Sequence, residues 1–130
     1  MADKIGILGS STTATAGTTT AYTVPTGKAA KVKIMFRGVA GTNSTIKFTV
    51  DGIEIFISGA LTSGHYAYSS SDKMLNTGAT VPGGTTDAST VAPGPKDYYL
   101  AAGDTITYTI GTADFSSFAV HIVGTEVDVT

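Results

Sequence analysis

Residues able to do chemistry are few in this chain and poorly placed for it. The two histidines, His65 and His121, stand far apart and have no H-x-H or H-E-x-x-H neighbour, so neither has a partner at metal-ligand spacing. Cysteine is absent, which removes disulfides, thiolate metal sites and thiol nucleophiles. Two carboxylate pairs stand out, Asp51 with Glu54 and Glu126 with Asp128. Such pairs can move protons or hold calcium. Neither lies in a D-x-D-x-D loop, and both read as solvated strand faces. Ser69-Ser70-Ser71 has no G-x-S-x-G elbow around it. Gly27-Lys28 is followed by Ala29, and neither Gly9 nor Gly17 opens a phosphate loop. Asn43-Ser44-Thr45 fits the glycosylation pattern but reads as a turn. The expectation is a protein with no catalytic residues, no metal and no cofactor.

Recognition is the remaining possibility, and here charge is informative. No acid occurs between Lys4 and Asp51, whereas Lys28, Lys31, Lys33, Arg37 and Lys47 all fall there. The acids gather later, at Asp72, Asp87, Asp97, Asp104, Asp114, Glu126 and Asp128. The cations form either a solvated strand face or a docking face for an acidic partner, which includes the acidic half of a second copy. Tyr66, Tyr68, Tyr98 and Tyr99 are either a platform for sugar or ordinary cross-strand aromatics. The candidate contact residues are Lys31, Lys33, Arg37, Lys47, Tyr66 and Tyr68. A net charge of −2 gives no general attraction to nucleic acid or anionic lipid.

Strands must carry these residues. In Lys31-Val32-Lys33-Ile34-Met35-Phe36-Arg37 the apolar residues Val32, Ile34 and Phe36 alternate with the cations and Met35, the period of a half-buried strand. Ile46, Phe48 and Val50 repeat the pattern, and so do Ile106, Tyr108 and Ile110, and Phe118, Val120 and Ile122. Asp51-Gly52 predicts a type I′ hairpin, since both residues tolerate positive φ. A meander is therefore expected from about 29 to 58, with Lys47 and Glu54 facing each other on its outer side. Pro25-Thr26-Gly27-Lys28 is a turn. Gly124 suggests a bulge that changes face, after which Val127 and Val129 continue the strand. Shorter strands are expected at 4–9 and 21–24 and near Tyr98. The Ser/Thr-rich arm over 10–20 is flexible or ordered along a neighbour. Residues 59–95, rich in Gly and Pro, read as one long irregular loop with a short strand around 63–69. Nothing has helical period.

The 130 residues predict a single domain, 1–130, with an N-terminal strand and arm over 1–20. The fold class is all-β, a two-sheet β-sandwich and most simply a jelly roll. Only 14% of residues are charged, against about 25% in an ordinary soluble domain, while Thr occurs 23 times. Such a surface suits packing into an assembly better than a free monomer. The start of the chain is too short and Gly-broken for a secretory leader, and no apolar run is long enough to cross a bilayer, so neither secretion nor a membrane is expected.

The segment Tyr22-Thr23-Val24-Pro25-Thr26-Gly27-Lys28-Ala29-Ala30-Lys31-Val32 leads into an alternating strand, a Gly/Asn turn and a strand ending in Asp-Gly. With Leu100-Ala101-Ala102-Gly103-Asp104-Thr105-Ile106, it resembles the small β-sandwich accessory proteins of tailed-bacteriophage virions. These are capsid decoration or cement proteins and related head- or tail-fibre modules. The resemblance covers about 20–58 and 97–129. It implies a homotrimer standing on the lattice of the major capsid protein, at the outer surface of the virion, after synthesis in the host cytoplasm. Lys31, Lys33, Arg37 and Lys47 would then meet acidic capsid loops, and the arm and the 59–95 segment would be exchanged between subunits. The alternatives are a minor tail, neck or fibre component, or a carbohydrate- or receptor-binding module.

Overall fold

Alternating apolar residues can shield one face of a strand each, so two sheets must close on one another. The computed structural model describes residues 3–57, 66–69, 73–77, 88–93 and 97–129. It is all-β. The strands are β1 (Lys4–Ser11), β2 (Gly17–Thr23), β3 (Lys28–Val39), β4 (Thr45–Val50), β5 (Ile53–Ile57), β6 (Tyr66–Ser69), β7 (Lys73–Thr77), β8 (Ala88–Pro93), β9 (Tyr98–Ala101), β10 (Thr105–Gly111) and β11 (Ser117–Asp128).

One sheet has seven strands in the order β1-β11-β3-β6-β7-β8, with β9 also paired to β3. The other has four, in the order β2-β10-β4-β5. All pairings are antiparallel. β1 pairs with β11, β2 with β10, β3 with β9 and β4 with β5, which is a long hairpin wound into a jelly roll. β6, β7 and β8 are inserted between β5 and β9 and widen the larger sheet. The twelve-residue β3 accepts β9 along Ala29–Val32 and β6 along Arg37–Val39, on the same edge.

The core lies between the sheets. Val32, Ile34 and Phe36 from β3 and Phe118, Val120 and Ile122 from β11 meet Ile46 and Phe48 from β4 and Ile106, Tyr108 and Ile110 from β10. Phe36 and Phe48 pack across the sheets as tilted rings with centroids 4.6 Å apart, and Tyr108 and Phe118 do so at 4.7 Å. Burying each of these side chains contributes about 1.5–3 kcal/mol. The Asp51-Gly52 hairpin forms as its sequence predicts, with φ of 48° and 81°.

Five expectations are corrected. The 29–58 meander is a β4–β5 hairpin preceded by an arch, because β3 and β4 belong to different sheets. Ser44 ties that arch: its buried hydroxyl accepts from Gly41 N (3.0 Å) and donates to Asp114 O (2.9 Å). Across the hairpin Glu54 faces Thr49, and Lys47 faces Ile57, so Lys47 and Glu54 are not opposite one another.

The 10–20 arm lies along its own chain. Gly17–Ile110 through Thr23–Thr105 form a ladder, Phe115 N donates to Ala14 O (2.8 Å), and the Tyr108 hydroxyl donates to Thr13 O (2.8 Å). Backbone bonds do here what its side chains cannot.

The 59–95 segment contains three strands, β6, β7 and β8, and is not one irregular loop. They are held through ladder pairing from β3 outward, which needs no apolar alternation. Residues 58–65, 70–72, 78–87 and 94–96 lie outside the described residues, as does His65.

Gly124 carries no bulge and no change of face. The β11–β3 register runs unbroken from Ser117–Val39 to Asp128–Lys28, and the irregularity lies on β1, between Ile7 and Gly9. Gly124 is glycine because its φ is +157° and a Cβ would run into the Lys31 carbonyl and lie 2.8 Å from Val32 Cα. With the phase kept, Glu126 follows Phe118, Val120 and Ile122 into the interior.

Candidate interaction surface

The inward set on β3 fixes the outward one, Lys31, Lys33, Met35 and Arg37. On β11 the outward residues are Ala119, His121, Val123, Thr125 and Val127. Register lines them into rows across the larger sheet. Ile5, Thr125, Lys31 and Tyr99 form one row, and Ile7, Val123 and Lys33 form the next. Ser10, His121 and Met35 follow, then Ala119, Arg37 and Tyr68.

This outer face is unusually apolar for solvent. Ile5 is 80% exposed and Tyr99 75%, and Ile7, Met35 and Val129 are each more than half exposed. A shallow groove of about 580 Å³ runs between β9, β3 and β11. Ala29 and Ala101 are small enough to leave it open, and Tyr99, Lys31, Thr125 and Val127 border it.

Its charge is partly compensated from within. Asp97 Oδ1 accepts from Lys33 Nζ at 2.7 Å, and Lys31 Nζ stands 3.7 Å from Oδ2. The Lys33 hydrogen bond holds the Asp97 carboxyl below its ordinary range, against a smaller opposing effect of desolvation. Lys31 Nζ lies 5.9 Å from the centre of the Tyr99 ring, within cation–π reach. Lys28 bonds Asp128 in the same way and lowers that carboxyl too. The more exposed Asp97 pairs orient their lysines more than they stabilise the fold, while the Lys28–Asp128 pair is partly buried.

The structure gathers only part of the sequence-predicted set. Lys31, Lys33 and Arg37 share the outer face of the larger sheet. Lys47 lies on the outside of the smaller sheet, in a row with Thr18 and Thr109. Half-buried Tyr68 stands across from Arg37, and Tyr66 pairs through its backbone with Val39, its side chain lying outside the described residues. Tyr98 packs on the core while Tyr99 faces out, and Tyr68 and Tyr99 flank positions six residues apart on β3, about 20 Å. Tyr68, Tyr98 and Tyr99 therefore form no single sugar platform.

The smaller sheet presents a hydroxyl face instead. Thr23 and Thr105, then Thr20, Thr107 and Thr49, then Thr18 and Thr109 stand in successive rows. Thr18 and Thr109 join their hydroxyls at 2.9 Å.

Glu126, expected from the sequence on a solvated strand face with Asp128, is instead buried. It is 6% exposed, and Tyr22, from the other sheet, donates its hydroxyl to Oε2 at 2.5 Å. Burial first, and then the bond to Glu126, drive the Tyr22 pKa far up, so the phenol stays protonated and donating. Counting the even-numbered residues through Gly124 was the signal that could have placed it. Among the described residues, no three His, Asp or Glu side chains are grouped to hold a metal. Among the described residues, no helix is long and apolar enough to cross a membrane.

No family model matches the chain, and no curated protein matches it in sequence. Among solved structures, it is similar to the catalytic domain of GH87 alpha-1,3-glucanase in complex with nigerose. There the identity is 19% and the TM-score 0.36, over 88% of this chain and 21% of that one. A substituted form of that domain with tetrasaccharides gives 16% and 0.31, over 98% and 29%. The chain thus spans less than a third of those chains, and similarity at this level assigns it no activity.

Proposed function

We propose that this protein is a non-enzymatic component of a bacteriophage virion, a decoration protein that binds the assembled lattice of the major capsid protein. The observation that carries the reading is the outer face of the larger sheet. Exposed Ile5 and Tyr99 share a row there with Lys31, exposed Ile7 shares the next with Lys33, and exposed Met35 lies in the row after that. A sheet face that is both apolar and cationic gains by covering itself with an apolar, acidic surface. The resemblance of 20–58 and 97–129 to virion accessory proteins supplies the partner. A ligand of the assembled lattice that ignores free subunits stabilises the lattice by its binding free energy, and trimers bridging several capsomers add multivalency.

Quantifying the protein in purified particles tests this. Hundreds of copies per virion, released as trimers, are expected. A dozen or fewer would move it to the tail or neck, and none would end the virion reading.

A further inference from the structure

A second site lies away from that face, on the side of the sandwich where the two sheets end in β1 and β2. Both are terminal strands of their sheets, so their outer backbone edges run side by side. Between them opens a cavity of about 410 Å³, bordered by Lys4, Leu8, Gly9, Thr20, Tyr22 and Glu126 among others. Gly9 keeps the strands close: a Cβ there would stand 2.5 Å from Ala21 O and 3.2 Å from the Tyr22 ring. The β1 irregularity between Ile7 and Gly9 lies at the same place.

Glu126 borders this cavity and is more than nine-tenths buried. Its Oε2 is taken by the Tyr22 hydroxyl. Among the described residues no donor reaches Oε1. A buried carboxylate with one neutral donor is under-compensated and attracts a cation. Lys4 sits across from Glu126 in the ladder, yet no ion pair joins them.

We propose that this cavity receives the cationic head of a lysine or arginine side chain from a neighbouring protein chain. Glu126 Oε1 accepts its N–H groups, and the apolar stem passes Leu8 and the Tyr22 ring. The Ala21 carbonyl, which faces Gly9 at the edge of the cavity, offers a further acceptor, which suits the several donors of a guanidinium. A protein segment is the natural source, because two open strand edges flank the opening and let a chain lie along it. The site is independent of the capsid-facing surface, and either can fail without the other.

Titrating the full chain with n-butylguanidinium, followed by backbone amide NMR, tests the site. Saturable shifts confined to Gly9, the 20–23 segment and Glu126 are expected, with n-butanol giving none. Glu126→Gln keeps an acceptor for Tyr22 but removes the charge, and should weaken binding roughly tenfold. Should that variant fold poorly, exposed Lys4→Glu adds a negative charge at the mouth and should tighten binding several-fold. No saturable shift in the wild type, shifts scattered over surface carboxylates, or unchanged affinity in both variants would overturn the proposal.

Discussion

Tyr22 on β2 and Glu126 on β11 join the two sheets through one buried hydrogen bond of 2.5 Å, at the border of a largely apolar core. Removing only the donor is the damaging change. Tyr22→Phe should lower stability by about 1–3 kcal/mol in urea denaturation, because Glu126 stays buried without its partner. Tyr22→Phe combined with Glu126→Leu should recover most of that loss.

The same bond sets an alkaline limit. The folded pKa of Tyr22 lies above its unfolded value, so its contribution is complete below about pH 10 and fades as pH rises beyond that. Tyrosinate absorbance should show Tyr22 titrating only as the protein unfolds, a step absent from Tyr22→Phe.

Acid acts through other groups. Asp97 and Asp128 have folded pKa values below their ordinary ones, chiefly through Lys33 and Lys28. Their contribution is present above the unfolded Asp pKa of about 3.9 and is lost as pH falls through the folded values. Melting temperature should drop across that window, and Lys28→Met with Lys33→Met should flatten the drop.

Gly124 and Gly6 face each other between β11 and β1, and both have positive φ. Only Gly124 is crowded; a Cβ on Gly6 would meet nothing within 4 Å. Gly6→Ala should cost about 1 kcal/mol from φ alone, whereas Gly124→Ala should cost at least about 3 kcal/mol because the β3 backbone must move. Thermal denaturation of the two variants separates them.

Much of the fold was legible because an alternating strand declares its buried side. Val32/Ile34/Phe36, Ile46/Phe48/Val50 and Ile106/Tyr108/Ile110 point inward as their spacing demands. The pattern names a buried face but not the sheet that buries it, which is why the β3–β4 arch passed for a hairpin. Gly124 misled because glycine signals either a bulge or a close backbone approach, and here it is the approach. That one choice also hid Glu126, since acidic residues read as solvent-facing by default. The short strand expected around 63–69 is β6, whereas β7 and β8 depend on ladder partners that residue patterning does not reveal. For the interaction surface, the β3 cations were readable from alternation alone. Ile5, Ile7 and Tyr99 joined them only once register placed β1, β11, β3 and β9 side by side.

Co-sedimentation with assembled capsids lacking this protein tests the capsid-facing sheet most directly. Ile5→Ser with Tyr99→Ser removes two exposed side chains and should change stability by no more than about 0.5 kcal/mol each. The wild type should pellet with assembled capsids and not with free capsid subunits, and the folded double variant should stay in solution. Equal pelleting of both proteins, or a wild type that ignores the assembled lattice, would contradict the account.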